Sequence, residues 1–197
     1  MLFIGLTSTM KTAFSPERKP HVDERLILQL AGGEQMALAE LYRQTDSAVY
    51  GFALSILKDP HAAEDVMQDT YLKILDSAQS YTPMGKPMAW ILTIVKNLAL
   101  MRLRSAKNET ELTADEAADD GGTGDFTAEI SDKLLLSEVM CLLTDEERQI
   151  ITLYAVSGLK HREIAAVTGL PLSTVLSKYR RSLLKIKKHL EEEQNEK

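Results

Sequence analysis

The stretch "HREIAAVTGLPLSTVLSKYRRSLLKIKKHL", residues 161–190, decides the fold. Its apolar positions recur at helical spacing on either side of a Gly-Leu-Pro break, which predicts helices over about 160–168 and 172–191. Two helices that cross steeply through a short turn need a small residue at the crossing, and Ala165 supplies it. The turn favours a positive φ, and Gly169 supplies that. Ile164, Leu170 and Val175 are placed to lock the crossing angle by burial. This is a helix-turn-helix pattern. Its second helix projects Ser173, Thr174, Leu176, Ser177, Arg180 and Arg181 outward, with hydroxyls and guanidiniums in reach of phosphates or base edges. Lys185, Lys187 and Lys188 follow at positions suited to phosphates. From Ala165 to Leu190 there is no Asp or Glu. A basic solvated helix in an ordinary bundle would look similar on charge alone. The Ala/Gly/Val spacing and the capped supporting helix upstream favour DNA binding.

Working outward, that basic segment belongs to an acidic chain. The 197 residues carry a net charge of -6. The charge is segregated. Residues 1–105 are balanced, 106–132 hold nine acids against one base, 133–190 carry +5, and the tail 191–197 carries -3. The acid-rich 106–132 span, with its Gly-Gly-Thr-Gly run, has too few large apolar residues to offset its ordering entropy. It is expected to be a flexible linker between two small domains. It acts either as a solvated spacer or as a nucleic-acid mimic that lies in a partner's basic channel.

Both flanking domains are expected to be all-α, with strand signals absent. In 22–105, helices are predicted at about 23–31, stopped by Gly32-Gly33, and at 34–57. A third, at about 60–77, has Asp59 as N-cap and Pro60 at its first position. "SYTPMGKP" (80–87) reads as a loop, and a helix at about 88–105 follows. In 133–190, a helix at about 129–142 precedes "TDEE" (144–147), a capping box that starts a helix running to about Ser157. Residues 1–21 are expected to be a tail, too short in apolar run and lacking the leading basic residue of a signal peptide.

The stretch "LTDEERQIITLYAVSGLKHREIAAVTGLPLSTVLSKYRRSLLKIKK" (143–188) resembles region 4 of bacterial sigma factors of the extracytoplasmic-function (ECF) type. The first domain is similar to region 2, above all in "AEDVMQDTYLKI" (63–74) and in the Trp90, Ile94, Asn97 spacing of "KPMAWILTIVKNLALMRLR". Together the resemblance covers about residues 22–190. It implies an alternative sigma factor that binds core RNA polymerase, recognises the -35 and -10 promoter elements and promotes DNA opening. It implies that Glu64, Asp65, Gln68 and Asp69 dock on polymerase. Ser80, Tyr81 and Lys86, in the loop 78–88, would meet a flipped base of the -10 element, with Lys96, Asn97, Arg102 and Arg104 beside the strand. The recognition helix, with Lys178 among its contacts, would read the -35 element. The linker would thread toward the RNA exit channel, and an anti-sigma factor is the usual negative partner. Leu176 stands where many relatives carry Lys or Arg, Met101 where an Asp is common, and Pro171 where a polar cap is usual.

A LuxR-like regulator acting without polymerase is the rival reading, since its C-terminal unit would look similar. An interaction protein that has lost DNA contact is another. An enzyme is not expected, because there is no triad, metal cluster or phosphate-binding glycine loop. No cofactor or metal is expected either: His61 and Glu64 form the one candidate ligand pair, and His21, His161 and His189 are scattered. Trp90 is expected in the core, and Cys141, beside Leu142 and Leu143, is expected to be buried and inert. The single cysteine excludes an internal disulfide, and no apolar run approaches a membrane span. The expected location is the cytoplasm.

Overall fold

The computed structural model describes residues 22–112 and 138–195. These residues form seven α-helices, and among them there is no strand. The helices are α1 (Glu24–Ala31), α2 (Gln35–Leu57), α3 (Pro60–Ser77), α4 (Pro87–Leu112), α5 (Asp145–Ala155), α6 (His161–Thr168) and α7 (Leu172–Asn195). A 3-10 turn, Ala78–Ser80, extends α3, and residues 138–141 make a further helical turn. The starts are chemically marked. Asp59 accepts the Ala62 amide at 2.7 Å ahead of Pro60. Thr144 and Glu147 close the expected capping box, with Thr144 N donating to Glu147 Oε2 at 3.0 Å. Gly169, at φ +79°, ends α6 with its amide on the Ala165 carbonyl, as the turn requires.

Helices α1–α4 pack around Ile27, Leu41, Phe52, Val66, Ile74, Ile91 and Val95, all buried. Thr45 and Tyr71 meet inside this bundle, hydroxyl to hydroxyl at 2.8 Å, so their buried oxygens are satisfied. Helices α5–α7 form the helix-turn-helix unit. A small core of Val139, Leu143, Ile151 and Ile186 sits on its outer side.

The two small domains were expected to be joined by a flexible linker, with their mutual arrangement open. They pack on each other: Ile150, Leu153, Leu159, Ile164, Val167 and Val175 share one continuous buried core with Phe52 and the rest of the first bundle. Helix α5 lies on α2, and α6 lies on α4. Gly51 faces this seam, where a Cβ would stand in ordinary contact, 3.7 Å from Thr152 Cγ2 and 4.0 Å from Val156 Cγ1. Lys58, itself at φ 60°, pairs with Asp145 at 2.8 Å across the same seam. The Lys58 contact holds the Asp145 carboxyl below its usual value.

Three further expectations change. Helix α4 runs to Leu112, so residues 106–112, expected in the linker, continue it; Lys, Glu and Leu in "AKNETEL" are sound helix formers. The expected helix at 129–142 is described only from 138, and the tail 1–21 and the linker 113–132 lie outside the described residues. Cys141 is exposed, not buried, because the turn at 138–141 ends there and directs Val139 and Leu143 inward.

Candidate nucleic-acid interface

Helix α7 presents one outward stripe. Ser173, Ser177, Arg180, Arg181, Leu184 and Lys188 are exposed at successive helical turns. The opposite stripe, Val175, Ser182 and Ile186, is buried against α5 and α6. Thr174, Leu176 and Lys178 lie at the margin, partly covered. The arrangement is what a recognition helix needs, with the outward face of its N-terminal half open to solvent.

The lysines behave differently from the arginines. Lys178 Nζ pairs with Glu146 at 2.7 Å, and Lys185 Nζ with Glu147 at 2.7 Å. The Glu147 side chain is 4% exposed. Burial alone would raise its carboxyl. The Lys185 ammonium and the Thr144 amide outweigh that and hold it below its ordinary value. Lys187 and Lys188 reach Glu191 and Glu192 one turn on, at 3.6 Å each. The stretch that is acid-free in sequence is thus met by acids from α5 and from the tail. Arg180 and Arg181 make no ion pair among the described residues. Apart from a 3.4 Å bond from Arg181 Nε to the Ser177 carbonyl one turn back, they are the unpaired cations of the stripe among the described residues. Behind it, Tyr154, His161 and Tyr179 cluster with ring centroids 4.7–5.0 Å apart, Tyr154 stacked on His161 and Tyr179 edge-on to the imidazole, and burial pushes the His161 pKa down.

In the first unit, Glu64, Asp65, Gln68 and Asp69 are all exposed along one face of α3, with Leu72 and Leu75 continuing it. Apolar tips ringed by carboxylates form a surface fit for a protein partner. Asp65 accepts from Arg102 at 2.6 Å, so a residue expected at the DNA strand and one expected at the polymerase hold each other. Ser80, Lys86, Asn97 and Arg104 are exposed. Tyr81 is partly buried. Its ring lies 4.7 Å from that of Trp90, which packs against the core as expected. Lys96 is not free. Its Nζ donates to the carbonyls of Val167 at 3.0 Å and Thr168 at 2.8 Å, the negative end of α6. That places the turn of the second unit directly over an expected -10 contact of the first.

Two residues were missed from sequence. Glu24 opens α1, and its Oε1 accepts from Tyr81 Oη at 2.6 Å and from the Met84 and Gly85 amides at 2.9 Å each. The Tyr81 hydroxyl does most to keep its carboxyl below the usual value. An acid in a first helical turn reads as dipole compensation, and nothing local signals a partner about sixty residues on. Gly51 is the other. A lone glycine in a helical run is a weak sign of close approach.

Among the described residues no group of His, Cys, Asp or Glu is placed to hold a metal, and no helix is long and apolar enough to cross a membrane.

Comparison with known proteins agrees with this geometry. The Sigma-70 region 2 family matches residues 41–109, and the Sigma-70, region 4 family matches 133–186. An ECF RNA polymerase sigma factor, SigK, of Mycobacterium sp. (strain KMS) is 32% identical over 180 residues, covering 87% of this chain and 93% of the relative. SigK of Mycobacterium tuberculosis (strain ATCC 25618 / H37Rv) is 30% identical over 175 residues, with 85% and 93% covered. Among solved structures, the sigma factor RpoE in complex with the anti-sigma factor NepR from Bartonella quintana superposes with a TM-score of 0.64 at 22% identity, covering 78% of this chain and 96% of that one. CnrH in complex with the cytosolic domain of CnrY gives 0.57 at 24%, with 86% and 97% covered. At those identities the two structures speak for the fold.

Proposed function

The chain belongs to the sigma-70 family, in its ECF group of RNA polymerase sigma factors, and from that premise we propose how its two units divide the work. Residues 22–105 bind core polymerase and the -10 element, and 133–190 read the -35 element. The exposed face of α3, centred on Gln68 and Asp69, docks on polymerase. Ser80, Lys86, Asn97, Arg102 and Arg104 border the -10 strand. Arg180 and Arg181, with Ser173, Thr174, Leu176 and Ser177, read the -35 element. Leu176 offers an apolar contact of the kind a thymine methyl accepts. The chain regulates initiation and carries out no catalysis of its own, in the cytoplasm where polymerase works. An anti-sigma protein is the expected negative partner, because the similar RpoE was solved bound to one.

One observation carries the reading. A helix-turn-helix unit with an outward, arginine-bearing recognition helix sits on the same chain as a bundle matching region 2. A LuxR-like regulator supplies the first and has no use for the second, so that alternative is not favoured.

Run-off transcription with purified chain, core polymerase and a promoter library tests the division. A discrete start site is expected. Arg181→Ala should lower its yield about 5- to 150-fold, the range for losing one bidentate base contact. Asp69→Ala should lower it by weakening polymerase association, measured separately by fluorescence anisotropy. Asp69 is the cleaner choice over Asp65, whose loss also releases Arg102. Promoter binding equally tight without polymerase would overturn the reading.

A further inference from the structure

The loop that joins the 3-10 turn to α4 carries the proposed -10 contacts, yet its middle is held from outside. Thr82–Lys86 are exposed, and prolines at 83 and 87 stiffen the chain. Across residues 82–85, the hydrogen bonds found among the described residues are the two amides given to Glu24. Tyr81 adds its hydroxyl to the same oxygen. Two consecutive amides converging on one carboxylate oxygen is how a backbone nest holds an anion, and Gly85, at φ +67°, supplies the left-handed turn. Charge-assisted bonds of this kind are stronger than neutral ones, and three on one atom define the loop's shape in space. The same tie sets the Tyr81 ring against Trp90, on the first turn of the helix that bears Lys96 and Asn97.

We propose that Glu24 is a positioning residue for -10 recognition: through Tyr81, Met84 and Gly85 it holds the base-capturing loop in one conformation, so that -10 discrimination depends on α1. This rests on the reading of residues 78–88 as the -10 loop. Glu24 itself need not touch DNA. Its role is to hold the loop ready before the strand arrives. A floppy loop must order itself on binding any base, and that cost falls equally on right and wrong sequences, while the selective contacts lose their fixed geometry.

The test uses the full chain with core polymerase on a selected promoter, against the same promoter substituted singly across its -10 or its -35 element. Opening is read by 2-aminopurine fluorescence. Glu24→Ala should lower the matched-to-mismatched opening ratio at the -10 element about tenfold, in line with losing a charged hydrogen-bond set. The ratio at the -35 element should hold. A general folding defect would lower both. Glu24→Gln keeps an acceptor oxygen and should recover most of the discrimination. Tyr81→Phe removes one donor and should give a smaller loss in the same direction, which keeps the test readable if Glu24→Ala does not fold. If Glu24→Ala and Tyr81→Phe keep -10 discrimination while Ser80→Ala with Lys86→Ala loses it, the positioning role is wrong and the loop reading stands. If none of these changes affects the -10 ratio, the loop reading falls, and the role of Glu24 falls with it.

Discussion

The two proposed DNA-reading surfaces of this chain are built to different rules. On α7 the reading stripe and the packing stripe are opposite faces of one helix, and the arginines of the reading stripe face solvent. On α4 the two functions overlap: Lys96 sits on the margin between them and donates to the end of α6. One surface is available in the closed chain, and the other is partly covered by its neighbour. A recognition helix separates burial from display by periodicity alone. A bundle helix that packs on three sides cannot. The charge pattern follows the same division. On α7 the lysines are held by acids of α5 and of the tail, which leaves Arg180 and Arg181, with their fixed fork of donors, for the ligand.

The sharpest way to break that comparison is at Lys185. If the lysines of α7 are internal clamps and the arginines the readers, Lys185→Ala is chiefly a stability mutation. It strands Glu147, whose side chain is 4% exposed. Losing the partner of a buried, hydrogen-bonded acid costs about 1–3 kcal/mol. Urea unfolding should show the loss, and Lys185→Ala with Glu147→Gln should restore part of it. The pH dependence has a definite sign. The folded-state pKa of Glu147 lies below its ordinary 4.5. Its stabilisation is therefore complete above that value and fades as pH falls toward the lower folded pKa. In Lys185→Ala the acid-side loss should begin at higher pH. A variant as stable as the parent but tenfold weaker on DNA would make Lys185 a reader after all.

The caps and the hydrophobic periodicity made the helices legible. Asp59-Pro60, the Thr144 capping box and Gly169 each fixed a boundary through local chemistry that survives any tertiary context. The outward stripe of α7 followed from the same period. What the sequence did not disclose was partnership. Ile150, Leu153, Ile164 and Val167 are apolar whether they pack within their own unit or on the next one, and the pattern is silent on which. Ion pairing was hidden for the same reason, since the acids that meet Lys178 and Lys185 lie more than thirty residues away. Residues 106–112 were misassigned because acidity dominated the reading, although helix propensity there is good. Cys141 failed on phase: at a short helical turn, adjacent apolar residues need not share its face.

Lys96 sharpens the comparison from the other side. It contributes two hydrogen bonds to the seam between units, and a charged donor on a carbonyl is worth about 1.5–3 kcal/mol when dry, less at this half-exposed position. Lys96→Ala should shift the balance toward separated units by about tenfold, the equivalent of 1.4 kcal/mol. Cys141 is exposed and single, so it takes one dye, and Gln79→Cys on the first unit takes the other. Energy transfer between them should fall in Lys96→Ala. Unchanged transfer would mean that the apolar seam alone sets the arrangement and that Lys96 is available to DNA at little cost.

The smallest effect is at Gly51, where the size of the substituent tests the seam. Gly51 lies inside α2, where glycine is less favourable than alanine by about 0.5–1 kcal/mol. An alanine Cβ would meet Thr152 Cγ2 at 3.7 Å, an ordinary contact. Gly51→Ala should therefore raise the melting temperature slightly, by about 2–4 °C for each kcal/mol in a chain of this size. Gly51→Leu separates the possibilities. With the units packed as described, the larger side chain has nowhere to go but against Val156 and Thr152, so the seam opens and small-angle scattering reports a larger radius of gyration. With the units apart, leucine at an open helical position would stabilise as alanine does and leave the dimensions unchanged.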